Sequence, residues 1–188
     1  MDKITIALKD KRQIPNNEQM TKRRLSYLTI DIGQEFEEKR LDSLHSLIAE
    51  GLGSERAEEA ILGLKNGLLG VVAAYISEEI LGVAAYGRTL MHRNTWYLAF
   101  NVVNSKFRYQ GIGNALNEIR LNHLLANHGA EYVLVASKDK WNRMKKFGFE
   151  PLTMLDHDKD NHNLMIFKKG NAREKVDTSI EVSPFETE

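Results

Sequence analysis

From Gly67 to Val103 the chain reads with an apolar period of two in three successive runs, "GLLGVVAAYI", "LGVAAYGRTL" and "TWYLAFNVV", and from Gly111 the period lengthens to that of a helix. The first period belongs to strands and the second to an amphipathic helix. Strands joined by turns as short as "SEE" and "MHRN" must run antiparallel. The helix from Gly111 to Asn127 is followed by another branched run, "EYVLVAS", and a strand–helix–strand connection of that length brings its two strands together in parallel. A mixed, mostly antiparallel sheet flanked by helices, an α/β fold, is therefore expected.

The remaining segments extend that sheet at both ends. "ITIALKD" and "SYLTIDIG" alternate like strands, with the polar stretch "KRQIPNNEQMTKRR" between them. Leu41, Leu44, Ile48 and Leu52 then form one helical stripe, punctuated by Gly51 and Gly53. A second helix begins at Ser54, read as its N-cap, with the stripe Ala57, Ala60, Ile61 and Leu64. After "EYVLVAS" come a short helix in "KDKWNRMKKF" and two strands, "PLTMLD" and "NLMIFKK", joined by the polar loop "HDKDNH". The 188 residues suit one domain. Its expected bounds are an extension at 1–24, a core at 25–169 and a flexible acidic tail at 170–188, in which Ile180, Val182 and Phe185 are isolated apolar residues.

Charge and composition remove several classes of function. Lys plus Arg and Asp plus Glu both number 26, so there is no basic excess of the kind a nucleic-acid binder carries. With no cysteine, disulfides, thiolate metal sites and a cysteine nucleophile are excluded. The charged start "MDKITIALKDKRQ" has no signal-like apolar core, and "GLLGVVAAYI" is about half the length a membrane crossing needs. A soluble cytoplasmic protein is expected. His157 and His162 share an acidic loop at a spacing that matches no zinc motif, so no metal is expected. Without a Gly-x-Ser-x-Gly elbow, a triad hydrolase does not fit. The Leu41–Leu52 stripe reads as core, with a homodimer face as the alternative.

The chemistry concentrates in "NSKFRYQGIG", between the third strand of the run and the long helix. A helix start presents backbone N–H groups without intrahelical partners, and its dipole adds partial positive charge. Glycine at 111 and 113 lets an anion approach that backbone, while Arg108 and Lys106 add full charges. The other reading is a tight strand-to-helix turn. Leu116 stands where a dinucleotide fingerprint needs its third glycine, and no Gly-Lys-Ser/Thr follows, so neither nucleotide motif is present.

Arg108-Tyr109-Gln110-Gly111-Ile112-Gly113 after Val103, with the strand order above and "KKFGFEPL" at 145–152, resembles the acetyl-CoA signature and closing Gly-Phe turn of the GNAT superfamily of N-acetyltransferases. The resemblance covers roughly residues 25–169. It implies a GNAT-like fold whose fourth and fifth strands, here "TWYLAFNVV" and "EYVLVAS", splay to admit coenzyme A. It implies that amides from Gln110 to Asn114, with Tyr109 and Ile112 in the same loop, grip the pyrophosphate. Arg108 would support the loop, and the backbone of Val102 and Val103 would pair with the pantetheine arm. The basic stretch 138–146 reads as a solvated helix face with Trp141 as a core anchor; the resemblance implies instead that Lys140 or Arg143 meets the 3′-phosphate or adenine end.

The catalytic pattern departs from the family. Met144 stands where many members carry a tyrosine acid for the leaving thiolate, and Ser137 where an asparagine is common. "NTWYLAFNVV" has no carboxylate to serve as a base. Tyr97, Asn101 and Ser137 are the catalytic candidates, with His92 beside them. The resemblance implies acetyl transfer from acetyl-CoA to a primary amine, or else a weak or inactive module that binds coenzyme A or a protein partner. Asp156, Asp158 and Asp160 would attract a cationic acceptor such as a lysine side chain, a polyamine or an aminoglycoside.

Overall fold

The computed structural model describes residues 3–5, 26–30, 34, 37–90, 92–137, 142–152 and 163–171. Strands β1 (Lys3–Thr5) and β2 (Ser26–Ile30) precede helices α1 (Glu38–Leu52) and α2 (Ser54–Lys65). Strands β3 (Leu69–Ile76), β4 (Glu79–Arg88) and β5 (Thr95–Val103) follow, then α3 (Ile112–Asn127), β6 (Tyr132–Ser137), α4 (Asn142–Lys145), β7 (Glu150–Pro151) and β8 (Asn163–Lys168). The strands form one sheet in the order β1-β2-β3-β4-β5-β6-β8-β7. Only β5 and β6, joined by α3, run parallel among these neighbours.

Alternation along the strands divides the core between two faces. Val72, Ala84 and Leu98 pack with Ile112, Leu116, Ile119 and Leu124 of α3. Val71, Val83, Ala85 and Val102 pack with Leu44 and Ile48 of α1 and with Ala57, Ala60 and Leu64 of α2. The helix ends differ from expectation. Gly53, at φ 95° and ψ 158°, caps α2, and Ser54 is already helical, because only glycine takes that backbone at the α1–α2 corner without strain. Gly51 lies inside α1, and Leu52 is exposed at its end while Leu47 takes the buried place. No described helix is long and apolar enough to cross a membrane. Most of the acidic loop before β8 and the tail from residue 172 lie outside the described residues.

Tyr27 of β2 is a defect in this core. Its ring is buried and its hydroxyl has no hydrogen-bond partner. Burial pushes the phenol up to about 12. Tyr27→Phe is expected to stabilise the fold by about 1 kcal/mol, since it removes an unsatisfied hydroxyl and leaves the ring. That raises Tm by about 2–4 °C in a thermal melt. The wild type also loses stability as pH rises from the ordinary tyrosine value near 10 towards 12, where the unfolded chain releases this proton and the folded chain holds it. The variant should lose less over that window.

Candidate functional site

The sheet opens beside β5. Its parallel register with β6 runs Thr95↔Tyr132, Trp96↔Val133, Tyr97↔Leu134 and Leu98↔Val135, and stops there, although β5 continues to Val103 and β6 to Ser137. A bulge in β5 stands at the point of separation. Against β4 the pairs are Ala84↔Asn101 and Tyr86↔Leu98, so Ala99 and Phe100 together face Ala85. An extra residue bends its strand and reverses which face later side chains occupy. Trp96 and Leu98 point to the α3 face; beyond the bulge Asn101 and Val103 do so, while Val102 points to α1.

The open edge has defined polarity. Asn104 N donates to Leu81 O at 2.9 Å, so in the antiparallel ladder Val102 turns its backbone groups to β4. Asn101 and Val103 turn theirs to the gap. Of the two residues expected to flank a pantetheine arm, Val103 therefore turns its backbone to the gap and Val102 turns its backbone to β4. Arg108 Nε donates to Val103 O at 3.1 Å, which folds the guanidinium over the end of this edge.

Past β5 the chain makes a short 3-10 turn, Ser105–Phe107, and enters α3. Tyr109 has φ 66° and Gly111, the N-cap, has φ 86°. Left-handed backbone at a tyrosine costs about 1 kcal/mol or more and curls the loop back on itself. Gly111 O accepts from Asn114 N and Ala115 N, each at 3.0 Å. Among the described residues, the amides of Tyr109, Gln110, Gly111, Ile112 and Gly113 have no acceptor. Those donors stand at the positive end of a 16-residue helix. Glu50 of α1 borders the same loop; it accepts from Ser105 N at 3.3 Å, and hydrogen bonds from Ser105, with Arg108 and Lys106 nearby, hold its carboxyl below the usual range.

Asn101 ties this loop to the sheet. Its Nδ2 donates to Gly113 O at 2.8 Å and to Asn117 Oδ1 at 2.9 Å, and Asn117 Oδ1 also accepts from Arg120 Nη2 at 2.5 Å. The Asn101 side chain is thus engaged beneath the first turn of α3. The sequence reading missed Asn117 and Arg120. A signal existed: Arg120 stands midway in the four-residue repeat Ile112, Leu116, Arg120, Leu124, whose other members are all buried.

The other candidates fall in distinct places. Tyr97 lies on β5 before the gap, on the face opposite Trp96, with its ring over Gly87 of β4, where a Cβ would collide with it. Ser137 ends β6 on the opposite lip of the gap. Met144 of α4 is buried in the α3-side core and carries no titratable proton. Arg143 is on the exposed side of α4, and the Lys146 amine just beyond is lowered by burial and by Arg143, with Glu118 of α3 opposing. His92 belongs to the β4–β5 turn, against Thr95 at the start of β5 and roughly 10 Å along the strand from the point where β5 leaves β6. Lys140, Trp141, Asp156, Asp158, Asp160, His157 and His162 lie outside the described residues, and among the described residues no group of three His, Asp or Glu could hold a metal.

Unpartnered amides at a helix start, a strand edge turned to a gap and the gap itself could together hold a phosphate-bearing ligand. A family model described as the acetyltransferase (GNAT) domain matches residues 34–163. No curated protein sequence matches significantly. Among solved structures, the Escherichia coli GNAT family N-acetyltransferase YhbS in complex with CoA superposes with a TM-score of 0.65 at 15% identity, covering 81% of this chain and 85% of that one. The aminoglycoside 6'-N-acetyltransferase from Enterococcus faecium gives 0.59 at 16% identity, covering 71% and 94%. An acyl-CoA N-acyltransferase from Pseudomonas aeruginosa gives 0.60 at 18% identity, covering 76% and 99%. At these identities the likeness is one of fold.

Proposed function

Because the chain belongs to the GNAT acetyltransferase family, we propose that it moves an acetyl group from acetyl-CoA to a primary amine: a protein lysine, a protein N-terminus or a small amine. The observation that carries this reading is the row of unpartnered amides from Tyr109 to Gly113 beside the open edge of β5. The amides of Gln110, Gly111, Ile112 and Gly113 bind the pyrophosphate, with Asn114 completing the turn and Arg108 holding the loop. The Asn101 and Val103 backbone receives the pantetheine arm, and Arg143 meets the adenine end. Acetyl-CoA supplies the acetyl group as a thioester, so a neutral amine forms the N–C bond as the C–S bond breaks, sulfur keeping the electron pair and one amine proton passing to solvent or a base.

Since Met144 has no proton to give and β5 has no carboxylate, the enzyme works mainly by positioning. Tyr97 on the sheet and Ser137 on the β6 lip act as secondary proton carriers. Tyr97→Phe and Ser137→Ala are each expected to lower kcat by no more than about tenfold, below the usual range for losing a dedicated acid or base. A loss of about a thousandfold in either would identify a true acid or base and refute positioning as the main device.

The acceptor is cationic, on the strength of Asp156, Asp158 and Asp160 in the loop before β8. Its KM should rise with ionic strength. The test of the function is calorimetry with acetyl-CoA, then thiol release with lysine peptides, free N-termini and polyamines. Absence of acetyl-CoA binding rejects the reading. Binding without turnover on any amine favours the alternative, a module that binds coenzyme A or a protein partner, for which Met144 speaks.

A further inference from the structure

Arg120 lies in the middle of α3 and is 3% exposed, yet no carboxylate among the described residues pairs with it. Its Nη1 donates to Ala85 O at 2.7 Å and Phe100 O at 3.0 Å, its Nη2 to Asn117 Oδ1, and its Nε has no acceptor. Burial pushes the guanidinium down to about 9, so it remains a cation at neutral pH. A lone buried charge is costly, and an apolar residue would continue the stripe of α3 without that penalty. Helix packing gives no reason for arginine here.

The two carbonyls it holds are those of the bulge, Ala85 on β4 and Phe100 on β5. Among the described residues every peptide bond is trans, so the N–H of a peptide unit points opposite to its C=O. Phe100 O points towards β4 and the guanidinium; the N–H of the same unit, which belongs to Asn101, points into the gap. A cation bound to a peptide oxygen draws electrons from the unit and makes its N–H a stronger donor, all the more so where the surroundings are of low dielectric.

We propose that Arg120 is a positioning residue for acetyl transfer: its buried charge clamps the β5 bulge and polarises the Phe100–Asn101 peptide, so that the Asn101 N–H is aimed at, and strengthened towards, the thioester oxygen of the acetyl group. This rests on the acetyltransferase reading. Negative charge grows on that oxygen as the amine attacks, and a fixed donor there accelerates the reaction with little effect on ground-state binding. Through Asn117 the same guanidinium also meets the Asn101 side chain, which holds Gly113 O directly and does so without it.

Two variants separate this role from a structural one. Arg120→Gln removes the charge. Asn117→Asp keeps the acceptor at Oδ1 and neutralises the charge with a carboxylate, so the fold is preserved or stabilised. Each is expected to lower kcat by about tenfold to a hundredfold, with acetyl-CoA affinity within about threefold of wild type. Arg120→Lys should recover part of the loss. The readout independent of turnover is the infrared carbonyl stretch of bound acetyl-CoA labelled with carbon-13 at the carbonyl. It should move to lower frequency in the wild type and by less in both variants. If the wild type acetylates no amine but shows that displacement and loses it in the variants, the enzymatic reading fails and the role of Arg120 in polarising the donor stands. If Arg120→Gln does not fold, Asn117→Asp decides. An equal displacement in wild type and folded variants, no displacement in the wild type, or undiminished kcat in Asn117→Asp overturns the proposal.

Discussion

Gly113→Val is expected to weaken acetyl-CoA binding by at least about a hundredfold while leaving the fold intact. A Cβ at 113 would meet Val103 Cγ2 at 3.5 Å and Asn101 Oδ1 at 3.6 Å, which are ordinary contacts, and the backbone there is not left-handed. Nothing inside the protein requires glycine at this place. Within a helix glycine is less favourable than alanine by about 1 kcal/mol, so the chain gives up stability to keep the position bare. On the proposed function, a Cβ at 113, between the first turn of α3 and the edge of β5, borders the place of the phosphate and the start of its arm, and valine adds two further carbons there. Gly111 makes the contrast. At φ 86° with no atom within 4 Å of a Cβ, Gly111→Ala has room but the wrong backbone. It should cost about 1–2 kcal/mol of stability and only a small factor in affinity. Calorimetry with acetyl-CoA and thermal melts on both variants check the pair. A Gly113→Val protein that folds and binds acetyl-CoA like the wild type moves the site elsewhere.

That contrast also marks what the sequence could disclose. Two glycines ahead of a helical run signalled a bare backbone at the helix start, but the two differ: one takes a left-handed cap, and the other, on the proposed function, lets a ligand approach. The change of period at Gly111 set the parallel pair, because a helix of that length leaves few other connections. The bulge was not legible: "TWYLAFNVV" reads as smooth alternation, and only pairing with β4 shows that Ala85 faces two residues. Once it is present, the parity of every later residue reverses, and Val102, which the family resemblance sets beside the pantetheine arm, turns its backbone to β4. Arg120 escaped for a related reason. A charged residue within a helix is read as solvated by default, and its burial depends on carbonyls freed by a distortion in two distant strands.

The packing of α1 against the gap yields the second large effect. Gly51 sits within α1, and a Cβ there would lie 2.5 Å from Val102 Cγ1 on β5. Valine is stiff about its first torsion and cannot swing aside cheaply. The glycine therefore marks where helix and strand approach too closely for any side chain, at the point where β5 has just left β6. Gly51→Leu is expected to destabilise the fold by about 2–3 kcal/mol, the range for overpacking a filled core, and to lower Tm by roughly 4–12 °C in a chain of this size. The cause can be isolated with smaller changes. Gly51→Ala overcrowds the contact and Val102→Ala empties it, so the double variant should be more stable than the sum of the two single losses predicts, by about 1 kcal/mol or more. Strict additivity in denaturant melts would show that the two residues do not constrain each other, and that α1 is held over the open edge of β5 by the remainder of its apolar face.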